Sequence, residues 1–460
     1  MLLDPAAVPE DVISVLRTLR AAGKQGWLAG GAVRDLLRGK GADDFDVATD
    51  ALPEQVMKLF PRVIPTGVQH GTVMVISGDH KVEVTTFRGE GPYLDGRRPS
   101  AVTFLSDIDA DLARRDFTVN AIAWDPIANV LRDPFAGAED LRRCLLRAVG
   151  DPLARFREDG LRPLRAVRLA CTLRLAIELR TRRAIPETLD VFAQVAMERV
   201  RDELTKLLLR GAPPSRGLRL LLRTGLLGRI IPELLESVNF TQNRFHRWDV
   251  WRHTVRVVDF APPDLVIRLA ALLHDVAKPR CAAPKEGAPG EHTFYDHEKV
   301  GAALTIEILQ RLKFPRREIE RVALLVAEHN WYFRPEWNDA TVRRVLARVG
   351  PAELPALWSL RRADLKARGR LVEEGLANQA EAEVRFQREI DRAAALKISD
   401  LAISGEDVMR QLGIGPGREV GQLLARLLER VIDDPDLNTR ERLFRLLAEV
   451  RQIPSTGNPQ

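Results

Sequence analysis

The chain has 460 residues, of which 29% are charged, with a net charge of +6 and an isoelectric point near 9.4. That length exceeds what one hydrophobic core usually supports, so we expect three or four domains. No apolar run is long enough to span a bilayer, and the N-terminus lacks the pattern of a signal peptide. The three cysteines are scattered, which argues against a disulfide framework and predicts a cytoplasmic protein. The positive charge suits a polyanionic partner such as nucleic acid.

The first part of the chain predicts an α/β module with a small mixed sheet over residues 25–125. The predicted elements are a helix at 9–22, a strand at 45–48, a helix at 53–60, and strands at 72–77 and 81–87. The last two alternate polar and apolar residues around Gly78-Asp79, which predicts a hairpin.

From about residue 150 onward the strand signals vanish and helical periodicity dominates. The predicted helices are 159–175, 186–210, 215–227, 253–275, 298–312 and 316–328, with a final helical block over 379–396 and 404–452. Proline clusters at 213–214, 262–263 and 284–289 predict loops, and 279–293 reads as a long excursion.

The most informative stretch is GGAVRDLLRGKGADDFDVATD, residues 30–50. Strand alternation places Asp44 and Asp46 on one face, with Phe45 on the other. Adjacent carboxylates repel each other unless a cation lies between them, and Mg²⁺ prefers such oxygen ligands. Glu83 on the neighbouring predicted strand is a further ligand candidate. The alternative is a solvated acidic strand end.

A second motif, LARRDFTVNAIAWDP, covers residues 112–126. The planar guanidinium of Arg115 could contact triphosphate or ribose oxygens, with Asp116 as an orienting carboxylate. Asn120 could be a sugar contact or a cap. A surface charge cluster before a buried segment is the alternative interpretation.

A third motif, REDGLRPLRAVRLA, covers residues 157–170, and its charged residues recur every third position at a predicted helix start: Asp159, Arg162, Arg165 and Arg168. Asp and Arg side chains can present acceptor and donor edges to a base. An ordinary salt-bridged helix would show the same spacing. Between the second motif and the hairpin, residues 85–102 form a Gly/Pro-rich basic segment that could close over a substrate.

Together these motifs resemble the class II tRNA nucleotidyltransferases, which comprise the bacterial CCA-adding enzymes and their relatives the bacterial poly(A) polymerases. The resemblance covers about residues 25–235 and rests on GG-x-VRD, D-x-D, RRDFT-x-NA and ED-x-x-R-x-x-R. It implies that Gly31, Arg34 and Arg115 bind the nucleotide and that Asp44 and Asp46 hold Mg²⁺ and are catalytic. It also implies that Asp159 and Arg162 read the incoming C or A, supported by Arg165 and Arg168. One departure is Gly160, where the family usually has proline; proline stands instead at Pro163, which predicts a later helix start.

A separate constellation comprises His253, the dyad His274-Asp275, and Asp364. Imidazole nitrogens and carboxylate oxygens on different helices can converge on one metal, either a divalent transition metal or Mg²⁺. The pattern resembles the HD phosphohydrolase superfamily over about 250–370, and His297 and His329 stand where some members hold a second metal. A histidine on an apolar helix face is otherwise more often a core residue.

The resulting prediction is an α+β chain with a polymerase-β-like head and all-α remainder. The predicted domains are a nucleotidyltransferase head at 1–150, a helical neck at 151–240, an HD domain at 241–375 and a tRNA-binding helical tail at 376–460. The expected activity is addition of C, C and A to the tRNA 3′ end from CTP and ATP, with no membrane partner. The oligomeric state is left open.

Rival hypotheses are a poly(A) polymerase and an enzyme that adds only A. The segment PTGVQHGTVMVI, residues 65–76, resembles the CCA-adding form more than the polymerase. A rival of another class is an HD phosphohydrolase whose head only binds RNA. Loss of one paired aspartate would be its signature, yet both are present.

Overall fold

The computed structural model describes residues 3–42, 44–90, 102–242, 246–287, 291–331, 333–334, 336–392 and 395–452. The chain divides into two compact units, Met1–Leu235 with Arg311–Phe314, and Glu236–Gln310 with Pro315–Gln460. The bounds of the four predicted domains remain predictions. Of the proposed closing segment, 85–102, residues 91–101 lie outside the described residues.

The first unit contains a mixed sheet, as predicted. The strands of this unit are β1 (Gly26–Ala29), β2 (Asp46–Thr49), β3 (Val63–Gly67), β4 (Thr72–Ser77), β5 (His80–Thr86), β6 (Arg88–Glu90), β7 (Val102–Phe104), β8 (Ala123–Asp125), β9 (Val130–Arg132), β10 (Leu145–Leu146) and β11 (Ala176–Ile177). Within the described residues, seven of them form one sheet in the order β3-β4-β5-β2-β1-β8-β9. Only the β2–β5 pair in this sheet is parallel.

The predicted hairpin is confirmed. Ser77 pairs with His80 across a two-residue turn, and Gly78 adopts a left-handed φ of 54° that glycine tolerates without strain. Alternate residues of β4 and β5 are buried, among them Val73 and Val84. This period-two burial is what lets one face of the sheet pack into the core while the other remains available for polar groups.

The helices of the first unit are α1 (Glu10–Ala21), α2 (Gly31–Leu37), α3 (Pro53–Leu59), α4 (Ile108–Ala113), α5 (Gly137–Arg142), α6 (Pro152–Glu158), α7 (Arg162–Thr172), α8 (Leu179–Ala184), α9 (Leu189–Phe192), α10 (Met197–Arg210), α11 (Pro214–Arg223) and α12 (Leu226–Ile230). Three predicted helices are too long. The prediction for 159–175 is wrong at its start, since α7 begins at Arg162. The prediction for 186–210 is interrupted at 193–196, and that for 215–227 is broken near Gly225, whose φ is 80°.

The second unit holds α13 (Val250–Phe260), α14 (Leu265–Leu273), β12 (Ala283–Pro284), β13 (His292–Thr293), α15 (His297–Arg311), α16 (Arg316–Ala327), α17 (Asp339–Val349), α18 (Leu354–Arg368), α19 (Val372–Asp391), α20 (Gly405–Leu412), α21 (Arg418–Asp433) and α22 (Arg440–Gln452). The single helix predicted at 253–275 is wrong because Pro262 and Pro263 separate α13 from α14. The helix predicted at 379–396 begins seven residues earlier, and the 404–452 block is three helices. Ser404 caps α20 in a capping box with Asp407.

The three cysteines are free, as predicted. In the part of the chain that the structure describes, every helix is too short or too polar to cross a membrane.

Candidate functional site

The first unit contains a cavity of 480 Å³, here called the head cavity. Sheet, helices and loops all contribute to its wall. Its charged and amide-bearing lining residues are Arg34, Asp46, Glu83, Arg88, Arg114, Arg115, Asp116, Asn120, Asp159, Arg162, Arg165 and Arg168, together with Gly30 and Gly31. Side chains from all three sequence motifs therefore meet in one cavity.

The acidic side of the head cavity is built by the parallel pair β2–β5. Asp46 is directly opposite Glu83 in the register of the two strands. Phe45 is only 3% exposed while Asp44 and Asp46 are exposed, which agrees with the predicted alternation, although the strand begins at Asp46 and both Asp44 and Phe45 precede it. Asp44 is exposed and is not a lining residue, but its charge acts on Asp46.

The surroundings of Asp46 disfavour a bare carboxylate. The pKa of Asp46 is raised to about 6, mainly because neighbouring protein atoms remove water from its carboxylate. The negative charges of Glu83 and Asp44 raise the pKa further, and the positive charge of Arg115 lowers it. The side chain nevertheless opens into the cavity and stays accessible to solvent. A cation beside Asp46 would relieve this repulsion, so the residues fit a hard divalent metal.

A glycine pair brings the backbone close to the cationic side of the cavity. Gly30 has a φ of 75°, and a Cβ there would lie 2.8 Å from Nη1 of Arg115. Gly31 begins α2, one turn before Arg34. Arg34 donates to Oδ1 of Asn120 at 2.7 Å and pairs with Asp35 at 2.8 Å. These contacts hold the Arg34 guanidinium against the cavity wall.

The RRD motif forms a buried ionic web. Arg115 pairs with buried Asp111 at 3.2 Å, while Asp116 pairs with Arg165 at 2.6 Å and accepts from Asn120 at 3.0 Å. Burial opposes ionisation of Asp116, but the Arg165 charge and the Asn120 hydrogen bond lower its pKa to about 2. In return, the charge of Asp116 raises the pKa of Arg165. Asn120 thus bridges Arg34 and Asp116 rather than capping a helix.

The third motif does not lie wholly on a helix. Asp159 follows α6 in extended backbone, and α7 begins only at Arg162. The Asp159 carboxylate accepts from the Leu161 amide at 3.0 Å and from Arg199 at 2.8 Å. Its two oxygens are therefore each held by a different donor. The departure at Gly160 has a local reason: a Cβ there would lie 2.6 Å from the carbonyl oxygen of Val191.

The arginines of α7 are held by acidic partners. Arg162 is 6% exposed, pairs with Glu158 and donates to the Arg155 carbonyl oxygen at 2.8 Å. Arg168 pairs with buried Glu203. Asp159 and all three predicted arginines line the head cavity, so the structure brings the predicted set together.

Sequence reasoning missed several partners that orient this set. Asp111, Glu158, Arg199 and Glu203 each hold a predicted site residue. Glu158 had a usable signal, since it lies four residues before Arg162 and can pair across a helical turn. Arg199 and Glu203 come from α10, about 40 residues away in sequence, and carry no comparable local signal.

A second site lies in the second unit and is called the histidine cluster. Its members are His246, His253, His274, Asp275, His297, His329 and Asp364, and all but the partly buried His246 are buried. Nε2 of His253 lies 2.9 Å from Asp364, and Nε2 of His274 lies 3.1 Å from Asp275. The predicted four residues therefore converge, although His274 and Asp275 come just after α14 rather than within it.

Three histidines are oriented by backbone carbonyl groups. Nδ1 of His274 donates to Ala271, Nδ1 of His297 to Phe294, and Nδ1 of His329 to Val326, at 2.9, 2.6 and 2.7 Å. A carbonyl oxygen can only accept, so these contacts place a proton on Nδ1 of each ring. Each Nε2 then faces Asp275, at 3.1 to 3.6 Å. Backbone-oriented imidazole is typical of metal ligands.

The charges of the histidine cluster also fit a cation. Burial lowers the pKa of His246 to about 2 and that of His297 to about 4, which keeps both rings neutral and able to bind metal. Burial opposes ionisation of Asp275, but His274 and Lys278 hold its pKa well below its usual range. Oδ1 of Asp275 lacks a hydrogen-bond partner in the described residues, whereas Oδ2 lies 2.7 Å from the Lys278 ammonium. The residues present therefore fit a divalent metal, and imidazole favours a transition metal.

Two members of this site were missed from the sequence. His246 lies near His253 and Asp364, with a ring centroid 5.0 Å from that of His253. Lys278 places its ammonium 2.7 Å from Asp275 and donates to Gln242. The spacing of Lys278 three residues after Asp275 was an available signal; His246 had only its place in a histidine-rich region.

Comparison with known proteins now defines the class. Residues 26–147 match the model for the poly A polymerase head domain, 174–237 match a probable RNA and SrmB-binding site of polymerase A, and 246–392 match the HD domain. The chain thus combines a nucleotidyltransferase head with an HD domain.

The relatives identify the family. The chain is 40% identical over 264 residues to the CCA-adding enzyme of Geobacillus thermodenitrificans, and the match covers 55% of this chain and 65% of that protein. The corresponding match to the Geobacillus sp. enzyme is 44% identical and covers 51% of this chain and 57% of that protein. A match to the Lactococcus lactis enzyme is 30% identical and spans 97% of this chain and 98% of its relative. The chain belongs to the family of CCA-adding enzymes.

Solved structures agree with this placement. The crystal structure of the Bacillus stearothermophilus CCA-adding enzyme in complex with CTP matches with a TM-score of 0.73 and 27% identity, covering 96% of this chain and 97% of that one. The Thermotoga maritima CCA-adding enzyme complexed with tRNA matches with a TM-score of 0.52 and 18% identity, covering 98% and 97%, which supports the fold alone.

Proposed function

We propose that the head cavity adds C, C and A to the 3′ end of tRNA from CTP and ATP and releases pyrophosphate. One observation carries the proposal: a single cavity joins an acidic pair, a set of arginines and the Asp159–Arg162 segment. Membership in the CCA-adding family and the likeness to a relative solved with CTP support the same activity.

The acidic side of the cavity would hold Mg²⁺. We assign Asp44 and Asp46 as its ligands, with Glu83 beside them. Burial and the negative charges of Glu83 and Asp44 all raise the pKa of Asp46, and a cation would offset both effects. A bound Mg²⁺ neutralises charge on the reacting phosphate and lowers the cost of forming the attacking oxyanion. The reaction is attack of the tRNA 3′-hydroxyl oxygen on the α-phosphorus, with cleavage of the bond to pyrophosphate.

The cationic side would position the triphosphate. Arg34 and Arg115 present planar guanidinium groups to the cavity, and Asn120 and Asp111 fix their orientation. Such forks hold phosphate oxygens in a defined direction. Gly31 lets the backbone approach the same anion. These groups supply positioning and charge neutralisation, which are the main sources of rate in phosphoryl transfer.

The third wall would select the base. Asp159 offers acceptors that suit the exocyclic amino groups of both cytosine and adenine, and Arg162 offers donors. Arg199 and Glu158 hold these two side chains in place, while Arg165 and Arg168 anchor α7 to Asp116 and Glu203. Selection by fixed side chains explains how a nucleotide could be chosen without a nucleic-acid template.

A stepwise assay tests this proposal. Purified protein is given tRNA ending at the discriminator base, at the first C, or at CC, with Mg²⁺ and either CTP or ATP alone. We expect one or two C additions on the first two substrates and a single A only after CC. A long A tract would favour a poly(A) polymerase, and A addition without any C addition would favour an enzyme that adds only A. Either result would overturn the assignment.

The histidine cluster supports a second candidate function, hydrolysis of phosphate esters. The Asp275 carboxylate and the backbone-oriented imidazoles fit a divalent transition metal or Mg²⁺, held by His253, His274, Asp275 and Asp364, with His297 and His329 as further candidates. A bound metal would supply an activated water as nucleophile. The test is metal-dependent opening of a 2′,3′-cyclic phosphate on RNA to a phosphomonoester, and release of phosphate from terminal phosphomonoesters, by wild type and by Asp275→Asn. Equal activity in both proteins would refute this role.

A further inference from the structure

A second cavity lies beside the histidine cluster, and we call it the indole pocket. Its volume is 400 Å³, within the range of small-molecule sites. It shares Asn330, Asp364 and Arg368 with the cavity of the histidine cluster. A ligand could therefore occupy the indole pocket while one end of it reaches the metal-ligating side chains.

A rigid aromatic assembly supports one side of the indole pocket. The Trp331 ring stacks on Phe386 at 5.5 Å with an interplanar angle of 13°, and Trp358 meets both rings edge-on at 5.3 Å. The Arg361 guanidinium lies 4.3 Å from the Trp331 ring centroid. Because these groups fix one another, Trp331 and Arg361 form a preorganised wall.

The Arg361 charge lacks a close acidic partner. Its Nη1 donates to the His329 carbonyl oxygen at 2.6 Å, while its buried Nε has no hydrogen-bond partner. Among the described residues no carboxylate lies within ion-pairing distance of Arg361. Asp364, on the same helix, pairs instead with Arg368 at 2.7 Å. Burial lowers the Arg361 pKa to about 10. An acceptor-rich ligand would offset this cost.

The remaining lining combines amides, apolar side chains and the charged residues Arg370 and Glu374. Nδ2 of Asn378 donates to the Phe333 carbonyl oxygen at 2.9 Å, which fixes the orientation of the amide. Leu365 and Leu371 supply apolar surface. Flat apolar contact together with amide and guanidinium groups at the edges suits a nucleobase and its ribose better than it suits free phosphate.

We propose that the indole pocket binds the nucleoside part of a nucleotide ester whose phosphate lies at the histidine cluster. This assignment rests on the proposed hydrolase function and adds to it the place where the nucleoside of the substrate lies. Arg361 and Asn378 bind the nucleoside, and Arg368 bridges the two cavities.

The test observes the pocket directly, without relying on hydrolysis. The full chain is labelled with 5-fluorotryptophan, and the Trp331 signal among the seven tryptophans is assigned with Trp331→Phe. AMP or inorganic phosphate is then titrated without divalent metal. We expect AMP to shift the Trp331 ¹⁹F signal saturably and phosphate to leave it in place. Movement of Trp27 alone would mean that AMP binds only in the first unit.

Two variants and a control sharpen the result. Arg361→Gln and Asn378→Ala should each weaken the AMP-dependent shift about tenfold, a loss comparable to one good polar contact. Arg362→Gln removes the same charge one residue away, where the side chain pairs with Glu383, and should leave the titration unchanged. An immobile Trp331 signal, or equal shifts with AMP and phosphate, would overturn the proposal. If AMP binds but the metal-loaded protein hydrolyses no ester, the hydrolase function fails and the nucleoside site stands.

Discussion

The ion pair between Asp116 and Arg165 should fasten helix α7, which we propose reads the base, to the motif that we propose binds the triphosphate. Asp116→Asn keeps the shape of the side chain but leaves Arg165 facing a neutral partner. The drop of the Asp116 pKa from 3.8 to about 2 corresponds to roughly 2.5 kcal/mol. The Arg165 side chain is 36% exposed, so water screens part of this energy and we expect a loss of about 2 kcal/mol.

Native-state hydrogen exchange measures this loss locally, which suits a chain with more than one folding unit. Amides of α7 should exchange about 30-fold faster in Asp116→Asn, because 1.4 kcal/mol corresponds to a factor of ten. Asp190→Asn, an exposed carboxylate in the same unit, is the control and should leave α7 unchanged. Since the folded pKa is depressed, the stabilisation is complete above pH 4 and is lost as the pH falls through about 2. Exchange that differs less than threefold between wild type and Asp116→Asn at neutral pH would refute the reasoning.

Three further perturbations address the same unit. Asp46→Asn should stabilise the metal-free head by about 1 kcal/mol in calorimetry, because the raised pKa makes its carboxylate unfavourable at neutral pH and solvent screening discounts the full value. Added Mg²⁺ should favour wild type only, and a lower melting temperature of the variant in chelator would contradict this. Arg162→Gln should raise misincorporation of UTP and GTP more than it slows correct addition, and unchanged selectivity would exclude a base-reading role. Gly160→Ala should cost about 1–3 kcal/mol, because its Cβ would meet the Val191 oxygen; a variant as stable as wild type would show that the backbone yields there.

Strand alternation was sufficient to predict the acidic side of the head cavity. Phe45 is buried, and Asp46 lies opposite Glu83. The hairpin around Gly78 was equally predictable, since a two-residue turn between alternating segments leaves little freedom in register. These features depend on contacts between neighbouring segments.

Helix boundaries were predicted less well. Arginine-rich periodicity continues across positions where the backbone turns, so the segment from 253 to 275 read as one helix despite Pro262 and Pro263. Asp159 was placed on the helix with Arg162, whereas the chain is extended at Asp159. Periodicity registers which residues are apolar, not where the first hydrogen bond of a helix forms.

The side chains from distant segments that orient the site residues were not predicted. Arg199 reaches Asp159 from α10, and Glu203 reaches Arg168 from the same helix. In the second unit, His246 joins the histidine cluster from the loop before α13. Such contacts follow from how helices pack, and no spacing in the sequence encodes them.

The central claim is that the carboxylate of Asp46 supports nucleotide transfer in the head cavity. The most direct measurement is the single-turnover rate of A addition to tRNA ending in CC, with Mg²⁺ and ATP, by wild type and Asp46→Asn. Because an uncharged amide is a poor Mg²⁺ ligand, the rate should fall by about a thousandfold or more while the protein stays folded. A variant that adds A within tenfold of the wild-type rate would contradict the account.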